Sequence, residues 1–375
     1  MTESDLKLVD GKFYHLIVEG SDYEIGTQLA EYVKERPDGV SAKEVYTSAN
    51  LDPATKGFED ISDLISHLGE YAPGIAEELQ GFADGLDSSP GKIPFLTWTF
   101  MTPSKGHCSQ LAALSSVTDK QHVYAARTYE WTTEEDLVLC TTRRKGKARH
   151  IGFTSSLHGR YDGFNEHGLL ISMTGGGIFN VPINASGFFC CVAIREALES
   201  CRDVSEGLDL LRAFPLGGHF NLILADKKDR AALVEFADGD MEIRETSAED
   251  PEPYVYSVNH YKLPKIEKHN ALNCGIIAHS KMRQELITKM FEDKAPQISR
   301  SDIQNLFATL HPNGLCNHFY DDGFGTLWSM IFDLTECSVD VCFSAPTHNE
   351  YRRFELDGTP GFTEYPVIFP KAPWT

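Results

Sequence analysis

The sequence predicts an α+β protein in which helices cover β-sheets. Two observations lead to this fold class. Helical periodicity dominates the first hundred residues, whereas the chain from Cys108 onward contains short apolar runs that are typical of strands. Pairs of helical segments separate these runs. Because blocks of strands that alternate with helix pairs bury their sheets under those helices, the pattern indicates a layered α+β domain.

Three amphipathic helices are predicted in the first hundred residues. Ser21 and Glu24 form the pattern of a capping box, which marks the start of the first helix. The three apolar faces consist of Ile25, Leu29, Tyr32 and Val33, of Ile61, Leu64, Ile65 and Leu68, and of Ile75, Leu79, Phe82, Ala83 and Leu86. Residues 88–91, Ser-Ser-Pro-Gly, end this helical part. Each face needs a partner surface, because a single helix cannot bury its own apolar stripe.

Strands and further helices are predicted in the rest of the chain. The first group of strands comprises residues 123–126, 137–140, 150–153 and 168–173. Then follow helices at 192–201 and 204–214, a hairpin at 221–226 and 231–236, helices at 281–292 and 302–310, and a hairpin at 328–333 and 339–343. The sequence has no internal repeat and no low-complexity segment.

The composition is that of a globular protein without a membrane segment. The chain has 375 residues, of which 41% are hydrophobic, and this is enough to bury a substantial core. No apolar run approaches the roughly 20 residues that span a bilayer, and the first six residues are polar and acidic, unlike a signal peptide. We therefore expect a cytoplasmic protein that does not bind membranes.

The net charge argues against a nucleic-acid partner. It is formally -21 at pH 7, so a phosphate backbone would be repelled over most of the surface. One basic cluster, residues 143–149, has the charge to meet phosphate or coenzyme A. It lies between two predicted strands, and we interpret it as a solvated hairpin turn.

The cysteines and histidines predict neither a disulfide framework nor a metal site. Nine cysteines are an odd number without a repeated spacing, so a reducing compartment is the simpler assumption. Cys190 and Cys191 lie in an apolar run and are predicted to fill the core. No metal-binding spacing occurs, and Cys316 with His318 is too little to hold zinc. We expect no cofactor.

Cys108 is the candidate nucleophile. It stands where the helical part gives way to strands, without a large apolar neighbour in Gly106-His107-Cys108-Ser109-Gln110. A thiol attacks only as a thiolate, so its site must lower a pKa near 8.5 or provide a base. Arg127, nineteen residues later, has the charge for the first task. A free α-amino group would serve as the base if Cys108 became a chain terminus. The alternative is a cysteine in the core.

Several motifs occur in an order known from one enzyme superfamily. Besides Cys108, they are residues 20–26 (Gly-Ser-Asp-Tyr-Glu-Ile-Gly), 76–85 (Ala-Glu-Glu-Leu-Gln-Gly-Phe-Ala-Asp-Gly), 127–130 (Arg-Thr-Tyr-Glu), 162–169 (Asp-Gly-Phe-Asn-Glu-His-Gly-Leu), 257–261 (Ser-Val-Asn-His-Tyr) and 315–318 (Leu-Cys-Asn-His). Together they resemble the N-terminal nucleophile hydrolases. Within that superfamily they are similar to acyl-coenzyme A:6-aminopenicillanate acyltransferases, choloylglycine hydrolases and penicillin V acylases. The resemblance implies a four-layer αββα sandwich with the nucleophile at the start of a central strand.

The resemblance also implies self-processing at the bond between His107 and Cys108. Cleavage there would create the amine that then acts as general base. It would divide the chain into residues 1–107, an N-terminal helical segment that serves as a small subunit or pro-segment, and residues 108–375, the αββα core.

Further site residues follow from the matching positions. Arg127 would hold the thiolate, and Glu130 stands where the family has an aspartate that orients the amine or contacts substrate. Asn259 would donate a hydrogen bond to the oxyanion, and main-chain N–H groups near Thr174 and Gly175 would supply a second donor. Other readings remain open. Arg127 and Glu130 also fit a structural ion pair, and Asn259 fits a turn cap. Asn165 is interpreted as a turn residue.

Asn317 departs from the family pattern. It replaces the arginine of an Ile-Cys-Arg-His motif whose charge supports the active site in relatives. Asn317 is a candidate oxyanion or substrate-binding residue, because an amide donates hydrogen bonds, but it carries no charge that depresses a neighbouring pKa. His318, Arg283 or Arg300 would have to compensate, and the sequence does not say which.

The sequence thus predicts a cysteine hydrolase or acyltransferase that cleaves a non-peptide linear amide through a thioester at Cys108. Its partner would be a small-molecule amide or acyl donor, with acyl-coenzyme A as one candidate, and a homo-oligomer is compatible with the sequence. Two alternatives stay open. One is a catalytically silent member of the fold that binds a ligand or protein. The other is an unprocessed cysteine hydrolase that uses His260 or His318 as its base.

Overall fold

The computed structural model describes residues 6–37, 39–99, 107–133, 138–177, 187–237, 239–270 and 275–373. Gly106, part of the nucleophile motif, and Leu137, the first residue of a predicted strand, lie outside them. In chain order the strands are β1 (Lys7–Gly20), β2 (His107–Ala113), β3 (Tyr124–Trp131), β4 (Val138–Arg144), β5 (His150–Ser155), β6 (Gly159–Arg160), β7 (Asp162–Asn165), β8 (Leu169–Gly175), β9 (His219–Asp226), β10 (Arg230–Ala237), β11 (Asp240–Ser247), β12 (Tyr254–Ser257), β13 (His318–Phe319), β14 (Phe324–Asp333), β15 (Ser338–Phe343), β16 (Arg352–Phe354) and β17 (Gly361–Lys371).

The α-helices lie in three groups along the chain. They are α1 (Asp22–Glu35), α2 (Gly39–Tyr46), α3 (Ile61–Tyr71), α4 (Ile75–Gly85), α5 (Pro94–Trp98), α6 (Cys190–Ser200), α7 (Val204–Ala213), α8 (Gly275–Lys294) and α9 (Arg300–Ala308). Every helix and strand predicted from the sequence is present, with shifted ends. The capping box that starts α1 is confirmed, with the Glu24 amide bonded to Ser21 Oγ and the Ser21 amide bonded to Glu24 Oε2.

Two sheets form the centre of the molecule. The first has the order β11-β10-β9-β8-β7-β5-β4-β1-β17, with β6 beside β5. The second has the order β12-β2-β3-β14-β15-β16, with β13 beside β14. Neighbouring strands run antiparallel except for β1 and β4, which are parallel.

Helices cover the outer face of each sheet. On the first sheet, α6 contacts β7 and β8, α7 contacts β9, and α1 contacts β1 and β17. On the second, side chains of α8 and α9 pack on β2, β3 and β14 in one apolar cluster that includes Ile287, Phe291, Ile303, Phe307, Leu111, Tyr124 and Ile331. The inner faces meet each other, as in the hydrogen bond from Ser172 Oγ to Gln110 Oε1 at 2.5 Å. The fold is therefore a four-layer αββα sandwich, as predicted.

The first hundred residues contain a strand that the helical periodicity does not predict. β1 lies between β4 and β17, with Tyr14 opposite Val138 and also opposite Glu364. Its second half is a run of large apolar residues, and Phe13, Leu16 and Val18 are at most 4% exposed. Such a run has no helical period and suits a strand that is buried on both faces. Where the chain divides stays a prediction, but residues before Cys108 supply an internal strand of the sandwich.

A cluster of buried charges joins the N-terminal helices to the sandwich. It consists of Asp22, Glu78, Arg144, His158, Arg195 and Glu199. The predicted hairpin turn after β4 is confirmed, but the prediction that its charges are solvated is wrong for Arg144. Carboxylates from α1, α4 and α6 surround this side chain and satisfy its guanidinium, which is why it is buried.

Within the described residues, no helix combines the length and the apolar character that crossing a bilayer requires. The eight cysteines of the described ranges are free thiols. Cys190 and Cys191 are buried in the first turn of α6, which confirms their prediction as core residues.

Candidate active site

Cys108 lies near the start of β2, an inner strand of the second sheet. Its partner in β3 is Tyr129, and Gln110 lies opposite Arg127. Because residues directly opposite in an antiparallel pair share a sheet face, these four side chains point the same way. The contact between Gln110 and Ser172 identifies this as the inner face of the sandwich. The thiol therefore lies between the two sheets, and Cys108 is only 2% exposed.

Arg127 is fixed beside the thiol. Its Nη2 lies 3.7 Å from Cys108 Sγ, and its Nη1 donates to Asp162 Oδ2 at 2.6 Å and to the carbonyl of Tyr161 at 2.8 Å. The guanidinium also lies 5.2 Å from the ring centre of Tyr129 and 5.3 Å from that of Trp328. A buried arginine held by a carboxylate and two rings cannot turn away. It directs positive charge at Cys108.

Asp162 is a site residue that the sequence reasoning missed. Its carboxylate accepts hydrogen bonds from Arg127, from Trp328 Nε1 at 3.2 Å and from the amide of Phe153 at 2.9 Å. Burial raises the pKa of Asp162, although the charge of Arg127 and the three hydrogen bonds oppose this rise. Its position in the Asp-Gly-Phe-Asn motif was the available signal. In the same motif Asn165 is confirmed as a turn residue, since its Oδ1 accepts from the amide of His167 at 3.1 Å.

Asn259 touches the main chain of the nucleophile. Its Oδ1 accepts the Cys108 amide at 3.0 Å and Arg283 Nη2 at 2.7 Å, while its Nδ2 donates to the carbonyl of Gly175 at 3.0 Å. The amide orientation follows from these partners, because an amide N–H and a guanidinium only donate and a carbonyl only accepts. Gly175 is the acceptor of Nδ2 within the part of the chain that the structure describes, so one N–H of Nδ2 is available there for a further acceptor.

Thr174 and Gly175 lie beside Asn259, but their polar groups have structural partners. Thr174 Oγ1 donates to the carbonyl of Val258 at 2.7 Å and accepts from Asn221 Nδ2 at 3.1 Å. Gly175 presents its carbonyl to Asn259. The role of main-chain N–H groups here as oxyanion donors stays a prediction.

Glu130 lies on the opposite face of the sheet from the thiol. It pairs with His107 across β2 and β3, so both side chains point outward, toward α8. The side chain is completely buried, and neither carboxylate oxygen has a hydrogen-bond partner among the described residues. Burial raises the pKa of Glu130 to about 8, although the nearby charge of Arg283 opposes this. The structure shows no ion pair between Arg127 and Glu130, which the sequence left open.

His107 is a neutral, buried neighbour of the nucleophile. Its Nδ1 is buried without a hydrogen-bond partner among the described residues, and its ring lies 3.9 Å from that of Phe324, edge to face. Burial, together with the charge of Arg283, holds the pKa of His107 well below its ordinary value.

The thiol of Cys108 is protonated at neutral pH in the continuous chain. Burial raises its pKa to about 11, although Arg127 and Arg283 oppose this rise, while Glu130 adds to it. Burial thus outweighs the two guanidinium groups. Repeated attack on substrates at neutral pH therefore needs a base that takes the thiol proton directly.

Asn317 is buried without a hydrogen bond to Cys108. Its Nδ2 donates to the carbonyl of Leu315 at 3.0 Å, and its amide donates to Thr326 Oγ1 at 2.9 Å. Of the charges considered as substitutes, Arg300 pairs with Asp333 and Asp340, and His318 bonds Thr347. Arg283 is the one that reaches the nucleophile.

Arg283 extends from α8 to the main chain around Cys108. Its Nη1 donates to the carbonyl of Cys108 and to Ser109 Oγ, the latter at 2.9 Å, while its Nη2 donates to Asn259. The side chain is 1% exposed. Arg283 is thus a buried cation that bridges the main chain of Cys108 and the side chain of Asn259.

One group of metal-binding residue types occurs in the described residues, away from Cys108. It consists of His122, Asp333 and Glu336. Arg300 already pairs with Asp333, and Arg353 pairs with Glu336. These guanidinium groups disfavour a cation at this place.

The αββα sandwich makes the chain an N-terminal nucleophile hydrolase by fold. The family model described as acyl-coenzyme A:6-aminopenicillanic acid acyl-transferase matches residues 117–348, more than half of the chain. The chain belongs to this family of amide hydrolases and acyltransferases. The match begins after Cys108, and it contains Arg127, Glu130, Asn259 and Asn317.

No curated protein sequence matches the chain. Among solved structures, similarity is found to penicillin V acylase from Agrobacterium tumefaciens (13% identity, TM-score 0.46, 68% of this chain and 90% of that chain). It is also found to an N-acylethanolamine-hydrolyzing acid amidase ortholog from Caenorhabditis elegans (13%, 0.44, 61% and 93%). A third is a variant of conjugated bile acid hydrolase from Clostridium perfringens (10%, 0.47, 71% and 98%).

Proposed function

We propose that this protein hydrolyses or transacylates a non-peptide linear amide through a thioester at Cys108, after autocatalytic cleavage of the bond between His107 and Cys108. One observation carries the proposal. Cys108 has Arg127 Nη2 3.7 Å from its sulfur and Asn259 Oδ1 3.0 Å from its nitrogen. A cation beside the thiol and a fixed acceptor beside the nitrogen are what a cysteine needs if its own amine is to act as base.

In the described residues of the continuous chain, no base is hydrogen-bonded to the thiol. No histidine of the described residues is hydrogen-bonded to Cys108 Sγ. His260 bonds Ser280 at 2.9 Å and Gln284 at 2.7 Å, and His318 bonds Thr347 at 2.8 Å. These contacts argue against the alternative in which either histidine activates an unprocessed enzyme. The uncut protein would then be a dormant precursor with a protonated thiol.

Cleavage would proceed by an acyl shift from nitrogen to sulfur. The Cys108 sulfur attacks the carbonyl carbon of His107 and the C–N bond breaks. The departing Cys108 nitrogen keeps its own hydrogen and takes the thiol proton, which makes it a free amine. Water then hydrolyses the thioester, which leaves a carboxylate on His107 and a free thiol on Cys108. The new amine would stay next to Asn259 Oδ1, the acceptor that its amide nitrogen already contacts.

Turnover would use the same groups again. The amine takes the thiol proton, the thiolate attacks the substrate carbonyl, and the free N–H of Asn259 Nδ2 stabilises the oxyanion. Collapse releases the substrate amine, which takes the proton, and leaves a thioester on Cys108. Attack by water gives hydrolysis, and attack by another amine gives acyl transfer.

The test is the intact mass of the purified protein under denaturing conditions, for wild type beside Cys108→Ala. We expect two fragments, residues 1–107 and 108–375, for wild type and one chain for the variant. Under native conditions the fragments should remain together, because β1 lies between β4 and β17. A single continuous chain in both proteins would contradict self-processing and favour a silent binding protein or an unprocessed enzyme.

A further inference from the structure

Helix α8 holds Asn259 from two sides. Ser280 Oγ accepts the Asn259 amide at 2.9 Å, and one turn later Arg283 donates to Asn259 Oδ1 at 2.7 Å. Residues three apart on a helix lie on the same face, so one face of α8 determines both the main chain and the side chain of Asn259. The same Arg283 also binds the carbonyl of Cys108.

Arg283 is one of three groups that fix which way the Asn259 amide points, with the Cys108 amide and the Gly175 carbonyl. A guanidinium has donors and no acceptor, so it can face only the Oδ1 of Asn259. With Oδ1 fixed toward Arg283 and the Cys108 nitrogen, Nδ2 is left to face Gly175 and any further acceptor. A flipped amide would set a donor against the Cys108 amide and would lose its oxyanion N–H.

A chain of histidines in turn holds Arg283. Arg283 Nε donates to His279 Nδ1 at 3.0 Å, so His279 carries its hydrogen on Nε2. His279 Nε2 lies 3.1 Å from His311 Nδ1 and donates to it. Burial lowers the pKa of His279 to about 2, helped by the charge of Arg283. His279 is therefore neutral near pH 7 and keeps its acceptor nitrogen for Arg283.

The charge of Arg283 also acts on the groups around it. It lowers the pKa of the Cys108 thiol and that of Glu130, in both cases against the effect of burial. Asn317 contributes no such charge.

We propose that Arg283 is a positioning residue that orients the amide of Asn259 and the main chain of Cys108, and that it supplies the positive charge that the neutral Asn317 does not. This inference rests on the proposed function for its catalytic meaning. The effects of Arg283 on the thiol pKa and on the orientation of the Asn259 amide do not depend on turnover.

The first test measures the pH profile of Cys108 alkylation by iodoacetamide, followed by mass spectrometry, in the full-length protein. We expect Arg283→Gln to raise the apparent thiol pKa by about one unit, which lowers the alkylation rate at pH 8 about tenfold. Arg283→Lys retains the charge, so its apparent thiol pKa should lie between those of wild type and Arg283→Gln. Arg300→Gln is the matched control, since Arg300 is a paired arginine on the neighbouring helix, and its profile should equal that of wild type.

The second test is a double-mutant cycle on the rate of cleavage between His107 and Cys108. If Arg283 acts in part by orienting Asn259, Arg283→Gln should slow cleavage less in the Asn259→Ala background than in wild type, because only its charge and its contact with the Cys108 carbonyl are then lost. An equal loss in both backgrounds would overturn the orienting role. Melting temperatures show whether Arg283→Gln folds. If it does not, Arg283→Lys takes its place in the cycle.

The two proposals fail in different ways. If wild type neither cleaves itself nor turns over amides, the proposed function is wrong. The pH profile of Cys108 alkylation then decides the role of Arg283 by itself. If wild type cleaves itself and Arg283→Gln leaves both profile and rate unchanged, the inference about Arg283 is wrong and the proposed function stands.

Discussion

The cluster of buried charges beside the N-terminal helices and the charges around Cys108, both within the described residues, differ in how completely they are paired. The first joins α1, α4 and α6 to the end of β4. In it Glu78 receives Arg144, Arg195 at 2.7 Å and His158 at 2.6 Å, and Glu199 receives the same two arginines. Arg195 and Arg144 outweigh burial and hold the pKa of Glu78 well below its ordinary value. Every charged group there has an opposite charge within hydrogen-bonding distance.

The second cluster surrounds Cys108 and is paired only in part. Arg127 has Asp162, but Arg283 binds neutral oxygens, and Glu130 has no hydrogen-bond partner among the described residues. Burying a charge costs free energy unless a partner compensates. The first cluster therefore stabilises the packing of the N-terminal helices on the sandwich. The second cluster contains groups whose protonation state changes easily. Perturbed, incompletely paired groups are typical of functional sites.

Glu78→Ala should have the largest effect on stability. It leaves Arg144 and Arg195 buried with less counter-charge, and losing one partner of a buried ion pair costs about 3–5 kcal/mol. Urea unfolding measures the loss. Asp293→Ala is the control, because its ion pair with Lys289 is exposed and is worth at most about 0.5 kcal/mol. Equal losses in the two variants would contradict the distinction between the clusters.

Arg127→Gln should raise the pKa of the Cys108 thiol, and it should also destabilise the fold because Asp162 loses its buried ion-pair partner. Removing the nearest positive charge raises the Cys108 pKa, and we expect the alkylation rate at pH 8 to fall about 10- to 100-fold. Arg127→Lys keeps a charge but loses the planar contacts with Asp162 and Tyr161, so its loss should be smaller. The pH profile of alkylation separates a changed pKa from changed access. If the pH profile of alkylation is the same in Arg127→Gln as in wild type, Arg127 does not act on the thiol.

The comparison also shows what the sequence could and could not predict. Periodicity predicted the described helices except the short α2 and α5, and most inner strands, because each of the predicted elements repeats its apolar residues locally. It did not predict β1, whose buried run has no period, or the edge strand β17, which is largely exposed. Sequence order brought Cys108, Arg127 and Asn259 together as candidates, and the structure places them within contact distance.

The partners of these residues depend on tertiary contacts that no local pattern records. Asp162 reaches Arg127 from the opposite sheet, and Arg283 reaches Cys108 from α8, 175 positions later. The sequence named Arg283 only as one of three charges that would compensate for Asn317. It also gave no hint that Glu130 and the thiol lie on opposite faces of one sheet, since that follows from the register of β2 and β3. Their catalytic roles stay predictions.

Glu130→Gln should have the smallest effect, and its sign depends on pH. The pKa of Glu130 is about 8 in the folded protein against an ordinary value of 4.5, so the folded state binds the proton more tightly. Its contribution to the unfolding free energy is therefore complete below pH 4.5 and is lost as pH rises through 8. Glutamine cannot ionise, so we expect the variant to gain at least about 1.4 kcal/mol relative to wild type between pH 5 and pH 9, the value of one pKa unit.

Chemical unfolding at both pH values, with Cys108→Ala as the background, isolates this effect from the thiol. Glu242→Gln is the control, because Glu242 is a partly buried carboxylate on the edge strand β11. A pH-independent difference for Glu130→Gln would mean that Glu130 is ionised in the fold and paired with a cation. In that case the charges of the second cluster would be as completely paired as those of the first. Incomplete pairing would then no longer distinguish the site around Cys108.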